Sequence, residues 1–210
     1  MISRIDDLRL ADPLRADQLR DAVRGRTIGR QIIVLRETRS TNDFLAQMAG
    51  PSLAEGMVVF AERQTAGRGQ HGRRWESAAG KGLLFSIFLL PDLALAESAR
   101  LTGWLTSIIS ATIQEQFAIG CTVKLPNDLY VDGKKIAGVL VEMRARPGGG
   151  YNTIAGIGIN VNQAVLDFPG ELRNFAGSLA MALGAEVDRQ RLAVVLLKNL
   201  DATYQEFFPR

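Results

Sequence analysis

Between Arg63 and Gly82 the sequence interleaves glycine with cations, as Gly67-Arg68-Gly69-Gln70-His71-Gly72 and then Arg73-Arg74-Trp75, and has almost no aliphatic side chain. Glycine frees backbone amides and arginine offers forked donors, a combination suited to phosphate or carboxylate. The spacing formally satisfies GxGxxG, which alone is a weak pattern. A dinucleotide fold would open a helix at once, yet Ser77-Ala78-Ala79-Gly80-Lys81-Gly82 continues as loop, and no HRD or DFG segment follows for a kinase. The segment reads as a long loop able to hold an anion, against the plainer reading of a solvated basic surface.

Three further segments could join it. Lys124-Leu125-Pro126-Asn127-Asp128 sets a cation, an amide and a carboxylate at a strand end. Asp128 could hold magnesium while Lys124 and Asn127 reach phosphate oxygens, or the pair could be an ordinary Asn-Asp turn. Lys134-Lys135-Ile136-Ala137-Gly138 enters an apolar strand, and alternation sends the two lysines to opposite faces, one toward a site and one toward water. Gly156-Ile157-Gly158-Ile159-Asn160 ends another apolar strand with small residues that admit a ligand. Trp75 is either a loop anchor or a face on which a base stacks. His71 is the only histidine, so histidine triads have one candidate and zinc has poor ligands.

The elements that must position these residues follow from periodicity. Strands are expected at 31–37, 57–62, 83–90, 122–125, 129–131, 136–143 and 151–160, with an Asp132-Gly133 hairpin turn and a second turn at Pro147 to Gly150. Ser40, Thr41 and Asn42 offer caps to a helix through Ala49, closed by Gly50-Pro51. Leu101, Trp104, Leu105, Ile108, Ile109, Ile113 and Phe117 mark the buried face of a long helix. Further helices are expected at Phe175 to Leu183, stopped by Gly184, and from Arg189 to Phe207, capped by Asp188. Hairpins between helices imply the α+β class, a mixed and largely antiparallel sheet with helices on one face. Residues 1–30, with Leu14, Leu19 and Val23 on one short helix, form a lead-in to a domain at 31–210.

Composition limits the remaining classes. Hydrophobic residues at 47% and charged residues at 22% are ordinary globular usage, which excludes a disordered or fibrous chain. The excess of +3 charges is too small to indicate nucleic acid. The longest apolar run, Leu83 to Leu90, is far short of the roughly 20 residues that span a bilayer. Met1 to Asp12 carries Arg4, Asp6, Asp7 and Arg9 where an export signal needs an apolar stretch. With Cys121 alone no intrachain disulfide forms, and a cytoplasmic location is expected.

Taken in order, Glu37-Thr38-Arg39-Ser40-Thr41-Asn42, Gln64-Thr65-Ala66-Gly67-Arg68-Gly69 through Trp75, Lys124-x-Pro126-Asn127-Asp128, Lys135-x-Ala137-Gly138 and Gly156-x-Gly158-Ile159-Asn160 resemble the motifs of biotin protein ligases. The resemblance covers about residues 31 to 205 and implies a catalytic fold related to class II aminoacyl-tRNA synthetases. It implies an enzyme that forms a C–N bond, with ATP and magnesium as cofactors and biotin as substrate. The expected product is a biotinylated lysine on the biotin carrier domain of acetyl-CoA carboxylase or a related carboxylase. The resemblance places Ser40, Thr41, Asn42, Gln64, Gly67, Gly69 and Gln70 on biotin, with Gly138, Gly156 and Gly158 shaping the pocket. Lys135 and Arg68 are the catalytic pair, meeting the biotin carboxylate and the α-phosphate. Arg73, Trp75, Lys124, Asn127, Asp128 and Asn160 fall on the nucleotide, with Asp128 also on the metal.

Three departures from the family stand out. Gln70 replaces an arginine common in the loop over the adenylate, a lost charge expected to weaken retention of the intermediate. Leu125 replaces a tryptophan, a change expected to affect packing more than chemistry. The chain ends at Arg210, before the small C-terminal β-barrel usual in relatives. The lead-in leaves no room for the winged helix-turn-helix of repressor relatives, so DNA binding is not expected. Dimerisation through a sheet edge is common in the family. The competing readings are a lipoate or octanoate transferase, whose Arg-Arg-x-Ser-Gly-Gly-Gly segment is absent, and a catalytically weak biotin sensor.

Overall fold

The computed structural model describes residues 12–50, 53–146 and 149–208. The readings of Met1 to Ala11, of Pro51 and of Pro147 fall outside the described residues. Each element grows from a local cause. Helix α1 (Ala16–Ala22) turns Leu19 inward, strand β1 (Ile32–Thr38) follows, and Ser40 caps α2 (Thr41–Met48) by accepting from Asp43 N at 3.4 Å. Strands β2 (Val58–Gln64) and β3 (Gly82–Leu89) flank the glycine-arginine loop. The long α3 (Ser98–Phe117) leads to β4 (Thr122–Lys124), β5 (Asp128–Val131), β6 (Lys134–Ala145) and β7 (Tyr151–Asn160). Between β5 and β6, Asp132 and Gly133 both have positive φ, 49° and 75°, as a two-residue hairpin turn requires. Two helices finish the fold, α4 (Leu179–Leu183) and α5 (Arg189–Phe207).

The seven strands form one sheet in the order β1-β2-β3-β7-β6-β5-β4. Only β1 and β2 run parallel, joined by the crossover through α2, and every other neighbour is antiparallel. Val58, Phe60, Phe85, Ile87, Ala155, Ile157 and Ile159 point to one face and meet Leu101, Leu105 and Ile109 of α3 and Leu192, Leu196 and Leu200 of α5. The lead-in joins this same core through Leu14, Leu19 and Val23. Alternate residues, Val59, Phe88 and Ile154, face the other way against Leu45 of α2. That second face is only partly covered, and beyond α2 it carries the cleft.

The helix expected from Phe175 starts late. Lys135 N donates to Phe175 O at 2.7 Å and Gly177 N donates to Lys135 O at 2.9 Å, so residues 175–177 are held extended against β6. Ser178 then caps the five-residue α4.

Candidate active site

The cleft, about 460 Å³, is floored by β6 and β7 and walled by α2, the 63–82 loop and the β4–β5 turn. That volume suits a compact organic ligand. Of the expected site residues, Ser40, Thr41, Asn42, Gln64, Arg68, Gly69, Gln70, Arg73, Trp75, Asn127, Asp128, Lys135, Gly138, Gly156, Gly158 and Asn160 all line it. Gly67 and Lys124 are not among the lining residues. Gly67 lies behind Trp75, whose N donates to Gly67 O at 3.0 Å, and the Lys124 ammonium sits 4.1 Å from the centroid of the Tyr130 ring on the exposed edge strand. Tyr130, over whose ring that ammonium lies, does line the cleft.

One end is built around Lys135. The bulge in the β5–β6 pairing between Leu129 and Tyr130 sets it beside Asp128, with Nζ 2.6 Å from Asp128 Oδ1 and 5.6 Å from the Trp75 ring centroid. Beyond that ammonium, the buried Asp128 oxygen has no hydrogen-bond donor. The neighbouring Lys134 points away, and its ammonium donates to Arg173 O. Alternation along the strand therefore separates the two lysines as expected.

The glycines serve the protein's own side chains more than was expected. A Cβ on Gly158 would stand 2.5 Å from Trp75 Cε2, and one on Gly138 would stand 3.0 Å from Trp75 Cζ3 and 3.3 Å from Asp128 Oδ1. The indole thus rests on a floor that only glycine leaves low enough. On Gly156 a Cβ would meet Asn42 Oδ1 at 2.2 Å. Gly158→Ala is expected to lift the indole from the floor, an overpacking that costs about 1–3 kcal/mol. A melting curve and tryptophan fluorescence unchanged from wild type would show that the ring moves aside freely.

The other end is a polar network that the sequence concealed. Glu142, four residues beyond Gly138 on β6, accepts from Arg68 at 2.9 and 2.6 Å and from Asn42 Nδ2 at 2.7 Å, while Asp43 lies 2.8 Å from Arg68 Nη2. Asn42 Oδ1 also accepts from the buried Ser86 hydroxyl at 2.6 Å, so both ends of this amide are anchored within the protein. Gln64 Oε1 accepts from Thr41 N at 2.7 Å, leaving Nε2 as its free donor. Glu142, Asp43, Ser86 and Tyr130 lie outside the five sequence motifs. Glu142 shares the period-two face of Gly138, and that acid in an apolar strand is the signal the sequence offers for it.

Burial alone would push the Glu142 carboxyl up, but the hydrogen bonds from Arg68 and Asn42 and the nearby guanidinium charges hold it below the ordinary range. A lowered folded value stabilises above the unfolded pKa of about 4.3 and is lost as pH falls through the folded value. Acid is therefore expected to release Arg68. Glu142→Gln should flatten the low-pH limb of the melting-temperature profile, and an unaltered limb would rule this contribution out.

The Asn127 amide also has a structural task. Asn127 Nδ2 donates to Val139 O at 2.9 Å, and Val139 N donates to Asn127 O, which stitches the turn to β6. In the glycine loop, Gly69 N donates to Arg73 O and Gly80 N donates to Glu62 O, so those two amides are taken within the protein. Leu125 lines the cleft and is 87% exposed, so its packing role is slight, against the expectation for this position.

Fold and cleft together define a class, an α+β domain whose mixed sheet floors a cleft lined by cations and amides from separate elements. The chain belongs to the biotin/lipoate A/B protein ligase family, whose model matches residues 34–162. It is 34% identical over 194 residues to the bifunctional ligase/repressor BirA of Bacillus subtilis, covering 92% of this chain and 60% of that protein. The chain thus spans less than two thirds of that relative. It is 36% identical over 204 residues to the biotin–[acetyl-CoA-carboxylase] ligase of Mycobacterium tuberculosis, covering 92% of this chain and 72% of that one. The biotin protein ligase of Aquifex aeolicus in complex with biotin and ATP superposes with a TM-score of 0.72 at 32% identity, over 86% of this chain and 73% of that structure. Among the described residues no helix is long and apolar enough to cross a membrane.

Proposed function

We propose that this domain joins biotin to ATP as biotinyl-adenylate and then transfers the biotinyl group to a lysine of a carboxylase's biotin carrier domain, acting in the cytoplasm. The observation that carries the reading is the convergence of Lys135, Asp128 and Trp75 on a glycine floor with Gln64, Thr41 and Arg68 in the same cleft. The complex of the Aquifex aeolicus relative with both biotin and ATP supports the choice of ligands.

In the first step a carboxylate oxygen of biotin attacks the α-phosphorus of ATP, a P–O bond forms, and pyrophosphate leaves with the electrons of the broken P–O bond. Two anions must meet, and a fixed ammonium lowers the barrier by neutralising charge that grows in the transition state. Lys135 is that ammonium. Arg68, paired with Glu142 four residues along β6 from Gly138, is the second cation in the cleft that can meet the same carboxylate. Gln64 Nε2 is the donor available to the biotin ring. Magnesium typically takes one or two protein carboxylates and completes its shell with phosphates and water. The buried Asp128 oxygen fits that donor set, and the ion would add positive charge at the phosphates. In the second step a neutral lysine amine of the carrier attacks the mixed-anhydride carbonyl, an amide forms, AMP departs and the amine sheds a proton. Positioning by the cleft supplies the acceleration.

Incubation with biotin, ATP, magnesium and a carrier domain, followed by intact mass, tests the proposal. One biotinyl adduct on the carrier is expected. Pyrophosphate release driven by lipoate or octanoate and not by biotin would overturn it.

A further inference from the structure

Behind the nucleotide end of the cleft lies an amide that takes no part in the reading above. Gln163 follows β7 and is 1% exposed. Its Nε2 donates to Asn160 Oδ1 at 3.1 Å and to Ser77 Oγ of the glycine-arginine loop at 3.2 Å, which uses both amide hydrogens. Its Oε1 is buried without a partner, an unfavourable arrangement to hold unless the two donated bonds matter. Asn160 is itself 4% exposed, yet it lines the cleft. An asparagine amide has one accepting and one donating end. With Oδ1 taken by Gln163, the end left for the cleft is Nδ2.

We propose that Gln163 is a positioning residue: it holds the Asn160 amide in one of its two orientations, so that Asn160 presents donors to an acceptor atom of the bound nucleotide, such as a ring nitrogen or a ribose or phosphate oxygen. This rests on the placement of ATP at that end of the cleft. Without Gln163 the amide is free to turn, and in half of its orientations it opposes an oxygen to the acceptor. The bond to Ser77 fixes the direction in which the glutamine itself meets Asn160.

The test is a double-mutant cycle with Asn160→Ala. Gln163→Met keeps the volume and removes both donors. In the wild-type background it is expected to raise KM for ATP by roughly five- to tenfold, the effect of one hydrogen bond, with KM for biotin unchanged. In the Asn160→Ala background it should change neither, because the residue it positions is gone. Equal increases in both backgrounds, or a parallel rise in KM for biotin, would show a general structural role and overturn the proposal. Should Gln163→Met not fold, the wild-type protein answers by NMR. The Asn160 side-chain NH2 signals should shift on saturation with ATP while those of Gln163 stay protected from exchange, and Asn160 signals insensitive to ATP overturn the assignment. Biotin-dependent pyrophosphate exchange by the wild type is measured alongside. Its absence sinks the ligase reading, whereas its presence with additive losses sinks only the role of Gln163.

Discussion

Replacing Lys135 by alanine is expected to lower biotin-dependent pyrophosphate exchange by roughly a thousandfold, the upper range for loss of one preorganised electrostatic group. The fold should survive. The main chain of residue 135, paired with Phe175 and Gly177, is untouched by the substitution, and the side chain is 30% exposed. What the variant loses is the cation beside Asp128, and the carboxylate left behind adds its own repulsion toward phosphate. Lys134→Ala is the control, because its ammonium reaches only Arg173 O on the outer face and exchange should stay near wild type. Near-normal exchange in Lys135→Ala would remove this lysine from the chemistry.

Arg189→Ala should produce the largest loss of stability. Arg189 and Glu62 are an ion pair at 2.7 Å, with side chains 3% and 2% exposed. The guanidinium also donates to Gly82 O at 3.1 Å and to Asp12 O, and Glu62 Oε1 accepts from Leu14 N at 2.6 Å. Removing one member of a buried pair costs about 3–5 kcal/mol, because the other is left as an uncompensated charge. The consequence reaches the site. Glu62 and Gly82 are the two stems of the glycine-arginine loop, and one guanidinium pins both. Denaturant unfolding measures the loss, and a change under about 1 kcal/mol would show that the buried pair contributes little to stability. Where the variant remains folded, biotin binding should also weaken as the loop stems separate.

The site's membership is largely legible in the amino-acid sequence. Glycine, arginine and lysine in the five ordered segments point to an anion-holding cleft, and all but two of the expected residues line it. The period-two alternation places Lys135 and Lys134 on opposite faces, and the apolar stripe of α3 marks the helix-covered side of the sheet. Such features are local, since spacing along one element dictates which side chains share a face.

What each member does there depends on partners far along the chain. Arg68 and Glu142 are separated by 74 residues, Asn42 and Glu142 by 100, and Glu62 and Arg189 by 127. Asn42 and Asn127 have the right residue types for ligand contacts, but their amides also bond neighbours that only the strand order brings together. The glycines of β6 and β7 imply close approach, yet nothing local reveals that the group approaching Gly158 is Trp75. Sequence alone determined the α+β class, most of its strands and helices, and most of the residues that reach the cleft, because burial and backbone period act over short stretches. Only the tertiary structure decided which donors remain free, because hydrogen-bond capacity is finite and is shared among groups that meet in space.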